Sequence, residues 1–233
     1  ACAPSIPSAV AVARDGGEFY VACSNVLLVL DATSGAERRR FTLPSSVREM
    51  HVVAGNRLFT LDHAGPVVFA VMEMSVYDLG TGTRLANAPT PVAGRGLTWA
   101  VPSPDGHTVV VGVGDTAVTG RATPHVIDSL TAAVMGAWPV DAVTRLGFLA
   151  SGTRAMMLRE TAAGTSTTLH GVLFDIAAAT VVLQAPLGTA AFDDTSNLVI
   201  LEPPPAPETL TATIAGRDVT LQWTTAATAG LAT

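Results

Sequence analysis

The chain has 233 residues, 48% of them hydrophobic and only 14% charged, with 21 glycines and 15 prolines to punctuate many short elements. Its formal charge of −6, with thirteen basic residues that are all arginine, excludes nucleic acid as the expected partner. No stretch reaches the ~18 continuous apolar residues of a membrane span, since the longest candidate, Pro66 to Met72, is soon broken by Glu73.

Residues 1–8 form an N-terminal segment with neither a charged n-region nor a long h-region, so no intact signal peptide is expected. The two cysteines, Cys2 and Cys23, are too few for a disulfide-stapled or zinc-ribbon scaffold. They either bridge, or leave Cys23 to pack as a small hydrophobe at the end of an apolar strand. Val10 to Ala13 reads as a strand, Arg14-Asp15-Gly16-Gly17 as a tight turn, Phe19 to Cys23 as a second strand and Leu27 to Leu30 as a third. Asp31 to Gly35 then reverses the chain: an aspartate can accept backbone N–H groups of its own turn, and a following glycine can take positive φ. Arg39 to Leu43 is the outer strand, and Pro44 stops it.

The same order recurs from Val47, Leu97 and Leu146. Short apolar runs end in aspartate at Asp31 (LLVLD), Asp78 (MSVYD), Asp128 (PHVID) and Asp175 (GVLFD), with spacings of 47, 50 and 47. A period of that length built from short strands predicts an all-β chain of β-propeller blades, each a four-stranded antiparallel sheet. A fifth repeat begins at Ala190, with Phe192 to Asn197 as its inner turn and Leu198 to Leu201 as its second strand. It is cut short by Pro203 to Pro207, a stiff linker that cannot continue a ladder. Four full repeats plus part of a fifth predict an incomplete ring over residues 9–201, a Pro-rich linker over 202–207 and a separate segment over 208–233.

The segment FYVACSNVLLVLDATSGAERRRFTLP resembles the YVTN-like and quinoprotein-like β-propellers of bacteria, in which a strand, a D-x-x-t-G turn and an outer strand recur; the resemblance covers residues 9–201. The chain has no Trp-Asp dipeptide, so Trp-Asp-repeat propellers match less well. After the linker, PAPETLTATIAGRDVTLQW resembles the opening of a fibronectin type III domain. That resemblance implies Leu210 in the first strand and Trp223 as the core tryptophan of the second. Such a sandwich needs about 100 residues, so residues 208–233 are expected to be a truncated piece of one, and both ends of the chain read as cut.

Arg48, Arg95 and Arg145 each stand seventeen residues after a repeat aspartate, the fourth such position being Phe192. Equivalent phase predicts an arc of guanidiniums suited to carboxylate or phosphate; the alternative is that each pairs with a local carboxylate or carbonyl. Gly112-Val-Gly114-Asp-Thr-Ala117 matches a dinucleotide fingerprint, but β-branched, Gly and Pro residues follow it instead of a helix, so it is expected in a loop between second and third strands. Asp193 to Asn197 lacks the Gly and distant Glu of a calcium loop. His51, His63, His107, His125 and His170 show no metal-binding spacing, and no G-x-S-x-G elbow occurs. No catalytic residue, metal or cofactor is therefore assigned. Asp62 to Glu73, Gly114 to Thr123 and Glu160 to Thr168 are expected to be long connections on one face, where binding commonly resides.

The expected function is a non-catalytic binding or interaction module of a secreted or cell-surface bacterial protein, extracytoplasmic, with its loop face engaging a partner. The partner would be a protein, a carbohydrate or a small anionic ligand, with Arg48, Arg95 and Arg145 as candidate contacts. The alternative is a fragment of a secreted propeller enzyme, a quinoprotein dehydrogenase, lactonase or hydrolase, with its catalytic residues in other blades.

Overall fold

The structure is a computed structural model, and it describes residues 7–63, 72–93, 95–114, 121–163, 166–189, 207–215 and 218–225. Every regular element among them is a β-strand. The chain divides into two compact units, Ala1–Asp141 and Ala142–Thr233.

The first unit holds three sheets of four strands. Sheet I is β1 (Ala9–Val12), β2 (Glu18–Cys23), β3 (Val26–Asp31) and β4 (Glu37–Thr42), each antiparallel to the next. Sheet II is β5 (Ser46–Val53), β6 (Arg57–His63), β7 (Met72–Asp78) and β8 (Arg84–Pro89). Sheet III is β9 (Gly96–Pro102), β10 (Thr108–Gly114), β11 (Ala122–Asp128) and β12 (Val134–Ala137).

In the second unit, β13 (Val143–Phe148), β14 (Arg154–Ala163), β15 (Ser166–Asp175) and β16 (Thr180–Thr189) pair in the same antiparallel sequence as sheet IV. A separate hairpin follows: β17 (Pro207–Ala215) and β18 (Asp218–Thr225), with Leu210 opposite Trp223.

The four repeat aspartates are the last residues of β3, β7, β11 and β15. In each turn an aspartate Oδ1 accepts backbone N–H groups: Thr33 and Ser34 for Asp31, Gly80 and Thr81 for Asp78, Leu130 and Thr131 for Asp128, and Ala178 for Asp175. The first three also accept the hydroxyl of Ser34, Thr81 or Thr131, which the fourth cannot reproduce because it has Ala178 there. One residue further on φ is positive, at Gly35 (68°), Gly82 (73°), Ala132 (57°) and Ala179 (50°). The aspartate spacing therefore marks one structural position repeated four times.

Packing follows strand alternation. Phe59 and Leu61 of β6 join Met74, Val76, Leu97, Val109 and Val111 in the core between sheets II and III. Leu58 points the other way and joins Tyr77, Tyr20, Leu27, Val29 and Met50 between sheets I and II. Sheet II thus buries both faces, so successive β6 residues from Leu58 to Asp62 are all buried, the polar Thr60 and Asp62 included. Each buried Leu, Val, Phe or Met contributes about 1.5–3 kcal/mol over the exposed state, so these two seams dominate the stability of the first unit.

Several expectations need correction. Gly112 and Gly114 lie within β10, paired on both sides, rather than in a loop. A Cβ at Gly112 would collide with the Trp99 indole and the Thr98 hydroxyl, and one at Gly114 with the Arg121 carbonyl. Close strand approach explains these glycines without a phosphate ligand. The stretch from Glu160 to Thr168 is also mostly strand, since β14 and β15 pair as far as Ala163 opposite Ser166. The fifth repeat, the Asp193 to Asn197 turn and the linker proper lie outside the described residues, as do 64–71 and 115–120 of the other two long connections.

Candidate functional site

The three phased arginines do not occupy equivalent positions. Three inner strands, β5, β9 and β13, carry a one-residue bulge next to a buried apolar residue: Arg48 after Val47, Thr98 after Leu97 and Thr144 after Val143. Arg48 is therefore the bulged residue itself, Arg145 follows a bulge, and Arg95 precedes β9 altogether. Equal counting from the aspartates failed because the connections between outer and inner strands differ in length.

The bulge position has a chemistry of its own. Thr98 and Thr144 donate their hydroxyls to the carbonyls of Gly112 (3.1 Å) and Leu158 (3.4 Å). Arg48 instead reaches the next sheet, donating Nη1 to the Leu97 carbonyl at 2.9 Å and Nη2 to the Thr98 carbonyl at 3.4 Å. Beside it, Glu49 accepts the Ala100 N–H at 3.1 Å and pairs with His51 Nε2 at 2.9 Å. Arg48 and Glu49 together clasp β5 to β9 with side chains where backbone groups do not pair. Arg145 donates to the Thr144 carbonyl at 2.8 Å, and Arg95 is exposed.

A concave site lies at the other end of β5. Its walls are the turns joining first and second strands, and its volume is about 680 Å³. Sheet I supplies Arg14, Asp15, Glu18, Tyr20 and Arg38, sheet II the stretch from Val52 to Asn56, and sheet III His107. Glu18 is held by both Arg39 contacts (2.8 and 2.9 Å), by Arg38 (3.3 Å) and by the Tyr20 hydroxyl (2.8 Å). Burial, followed by the hydrogen bond to Glu18, pushes the Tyr20 hydroxyl well above the usual tyrosine range. Arg38 also pairs with Asp31.

Three turns are knitted together around Gly106. Arg14 donates to the carbonyls of Asp105 (2.7 Å) and Pro104, the Ala54 N–H reaches the Gly106 carbonyl at 3.0 Å, and the Ser129 hydroxyl reaches that same carbonyl at 2.7 Å. Gly106 has φ of 75°, and a Cβ there would strike the Arg14 guanidinium and the Ala54 nitrogen. Hydrogen bonds thus tie the three turns together, and Asp15 and His107 are exposed among the residues that line the cleft. Among the described residues, no group of three or more His, Cys, Asp or Glu side chains is placed to hold a metal ion.

Sequence reading missed this cleft. The available signal was the pair of inner turns Arg14-Asp15-Gly16 and Pro104-Asp105-Gly106, whose aspartates cap the N–H two residues on at Gly17 (2.9 Å) and His107 (3.0 Å). That local chemistry reveals two turns but not that Arg14 spans the distance between them.

No protein-family model and no curated protein matches the sequence. Solved structures do match. Hydrazine synthase of Kuenenia stuttgartiensis superposes with a TM-score of 0.59 at 16% identity, covering 78% of this chain and 54% of that one. The Pan2 WD40 domain of Neurospora crassa gives 0.52 at 14% identity, covering 72% and 49%. BamB of Moraxella catarrhalis gives 0.50 at 19% identity, covering 80% and 55%. The chain spans about half the length of these solved chains. With the sheets described above, the likeness establishes a β-propeller protein. The fold is shared with a WD40 domain although this chain lacks the Trp-Asp dipeptide.

Proposed function

We propose that this chain is a non-catalytic binding module, part of a secreted or cell-surface protein, and that it holds a partner segment or small ligand in the cleft at the inner turns. The cleft carries the reading: three turns joined by hydrogen bonds line it, together with charged side chains of both signs. Such a surface suits a ligand with polar groups distributed along it, such as a peptide or an oligosaccharide. No helix of the described residues is long and apolar enough to cross a membrane.

The test is amide chemical-shift mapping during titration with a mixed-charge peptide library, an oligosaccharide set and small carboxylates. Saturable shifts at Ala54, Gly55, Asn56 and His107, weakened in His107→Ala and Asp15→Asn, are expected. Saturable binding that leaves those amides unmoved would overturn the assignment.

A further inference from the structure

We propose that Asp62 is a proton-operated lock in the seam between sheets I and II: its carboxyl is neutral while the seam is closed, and loss of the proton loosens the seam.

Asp62 sits near the end of β6 with no exposed surface. Alternation along β6 places it on the same side as Leu58, whose core partners include Tyr20, Leu27 and Val29 of sheet I. Its Oδ2 accepts the Tyr77 hydroxyl at 3.2 Å, while its Oδ1 is buried with no hydrogen-bond partner. An ionised carboxylate in that position would lack both solvent and a counter-charge, which costs far more than burying the neutral acid.

Among the described residues, the groups around it supply no cation. Directly opposite on β7 is Glu73, a second carboxylate, which is occupied by Asn87 Nδ2 at 2.8 Å. Tyr77 is also on β7, and burial pushes its hydroxyl up to about 12. Arg84 of β8 lies opposite Tyr77, not Asp62. On β5, Val47 faces Asp62, while Arg48 reaches the Leu97 and Thr98 carbonyls and Glu49 serves His51 and Ala100. His63 follows on β6, opposite Ser46. From sheet I, Tyr20 and Arg39 both bond Glu18. Burial accordingly holds the Asp62 carboxyl above the usual aspartate range.

The direction of the effect follows. A group neutral in the fold contributes stability that is fully present below its unfolded value of about 3.9 and is lost as pH rises through its raised folded value. The binding cleft lies at the far end of the same seam, where the turns of sheets I and II meet.

Denaturant unfolding of the whole chain, from about pH 4 upward to about pH 8 so that the series starts at the unfolded value, tests the lock against Asp62→Asn, which keeps the shape and cannot ionise. The wild-type midpoint should fall relative to the variant midpoint as pH rises. Parallel pH profiles for the two proteins would overturn the proposal. If Asp62→Asn fails to fold, carbon-13 carboxyl spectroscopy of the wild type decides: an Asp62 carboxyl that titrates above the unfolded value of about 3.9 sustains the lock, and one that titrates at or below it refutes it.

Discussion

Sheets I and II share one register but not one environment. Val10, Val12 and Phe19 occupy the positions of Met50, Val52 and Leu58, because Val12 pairs with Phe19 as Val52 pairs with Leu58, and Phe19 and Leu58 each sit opposite the residue preceding the repeat aspartate. Yet Leu58 is 0% and Met50 2% exposed, while Phe19 is 37%, Val12 50% and Val10 60% exposed. The difference is the neighbour: sheet I covers that face of sheet II. Sequence chemistry alone therefore does not determine burial in a stacked-sheet protein. Apolar residues of the same phase become core or surface according to what stacks on them.

The largest expected effects test this comparison directly. Leu58→Ala and Met50→Ala should each cost about 2–5 kcal/mol, the range for truncating a buried aliphatic side chain. Val10→Ala should stay within about 0.5 kcal/mol, as exposed substitutions do. Denaturant midpoints of the three variants provide the check. Equal losses at Val10 and Met50 would show that the open face of sheet I is covered in solution and would end the distinction.

Gly82 comes next. Its φ is 73°, and a Cβ would press into the ring of Phe41 from sheet I. Gly82→Ala should cost about 2–4 kcal/mol, combining left-handed strain with overpacking. Gly35 has the same conformation with nothing near its missing Cβ, so Gly35→Ala should cost only the strain, about 1 kcal/mol. Equal costs would show that the Gly82 turn does not pack as described.

The aspartates of these turns set the acid limb of stability. Asp31 and Asp78 are held below the usual carboxylate range chiefly by backbone N–H groups, from Ser34 and Thr81, and Asp128 chiefly by the Thr131 hydroxyl. Their contribution is present above the unfolded value of about 3.9 and is lost as pH falls through their lowered folded values. Asp78→Ala should flatten the fall in stability on acidification, read as the midpoint of acid unfolding. A profile unchanged in slope would remove Asp78 from that account.

The turns were legible in the sequence because their chemistry is local. An aspartate that ends an apolar run encodes the reversal, joined in the first two turns by a hydroxyl three residues later and then a glycine, and the spacing of the four aspartates marked the repeat. The arginines were not legible by the same counting. Arg48, Arg95 and Arg145 share a distance from those turns, but the connecting segments vary in length and a bulge displaces the inner strand, so phase along the chain does not become phase in the sheets. The cleft was hidden for a related reason. Arg14 meets Pro104 and Asp105 only through the stacking of sheets, and nothing near Arg14 in the chain encodes that meeting. Asp62 likewise reads as a strand-end polar residue until the covering sheet is known.

The smallest expected effect concerns the fourth turn, where the repeat has decayed furthest. Ala178 stands in place of the hydroxyl residue and Ala179 in place of glycine, with φ of 50° and an exposed side chain. An alanine held in the left-handed region costs about 1–2 kcal/mol, whereas glycine adopts it freely but loses more chain entropy on folding, about 0.5–1 kcal/mol. The balance favours glycine slightly, because the exposed methyl makes no burial contribution that would be lost. Ala179→Gly should therefore stabilise the second unit by up to about 1 kcal/mol, read as a small rise in unfolding midpoint. Ala132→Gly is the control at the equivalent position of the first unit. Ala132 has φ of 57° but is fully buried in the core between sheets II and III, so removing its methyl loses packing and should cancel the relief of strain. If both substitutions stabilise equally, the Ala132 methyl contributes nothing to that core; if Ala179→Gly destabilises, the fourth turn does not share the geometry of the other three.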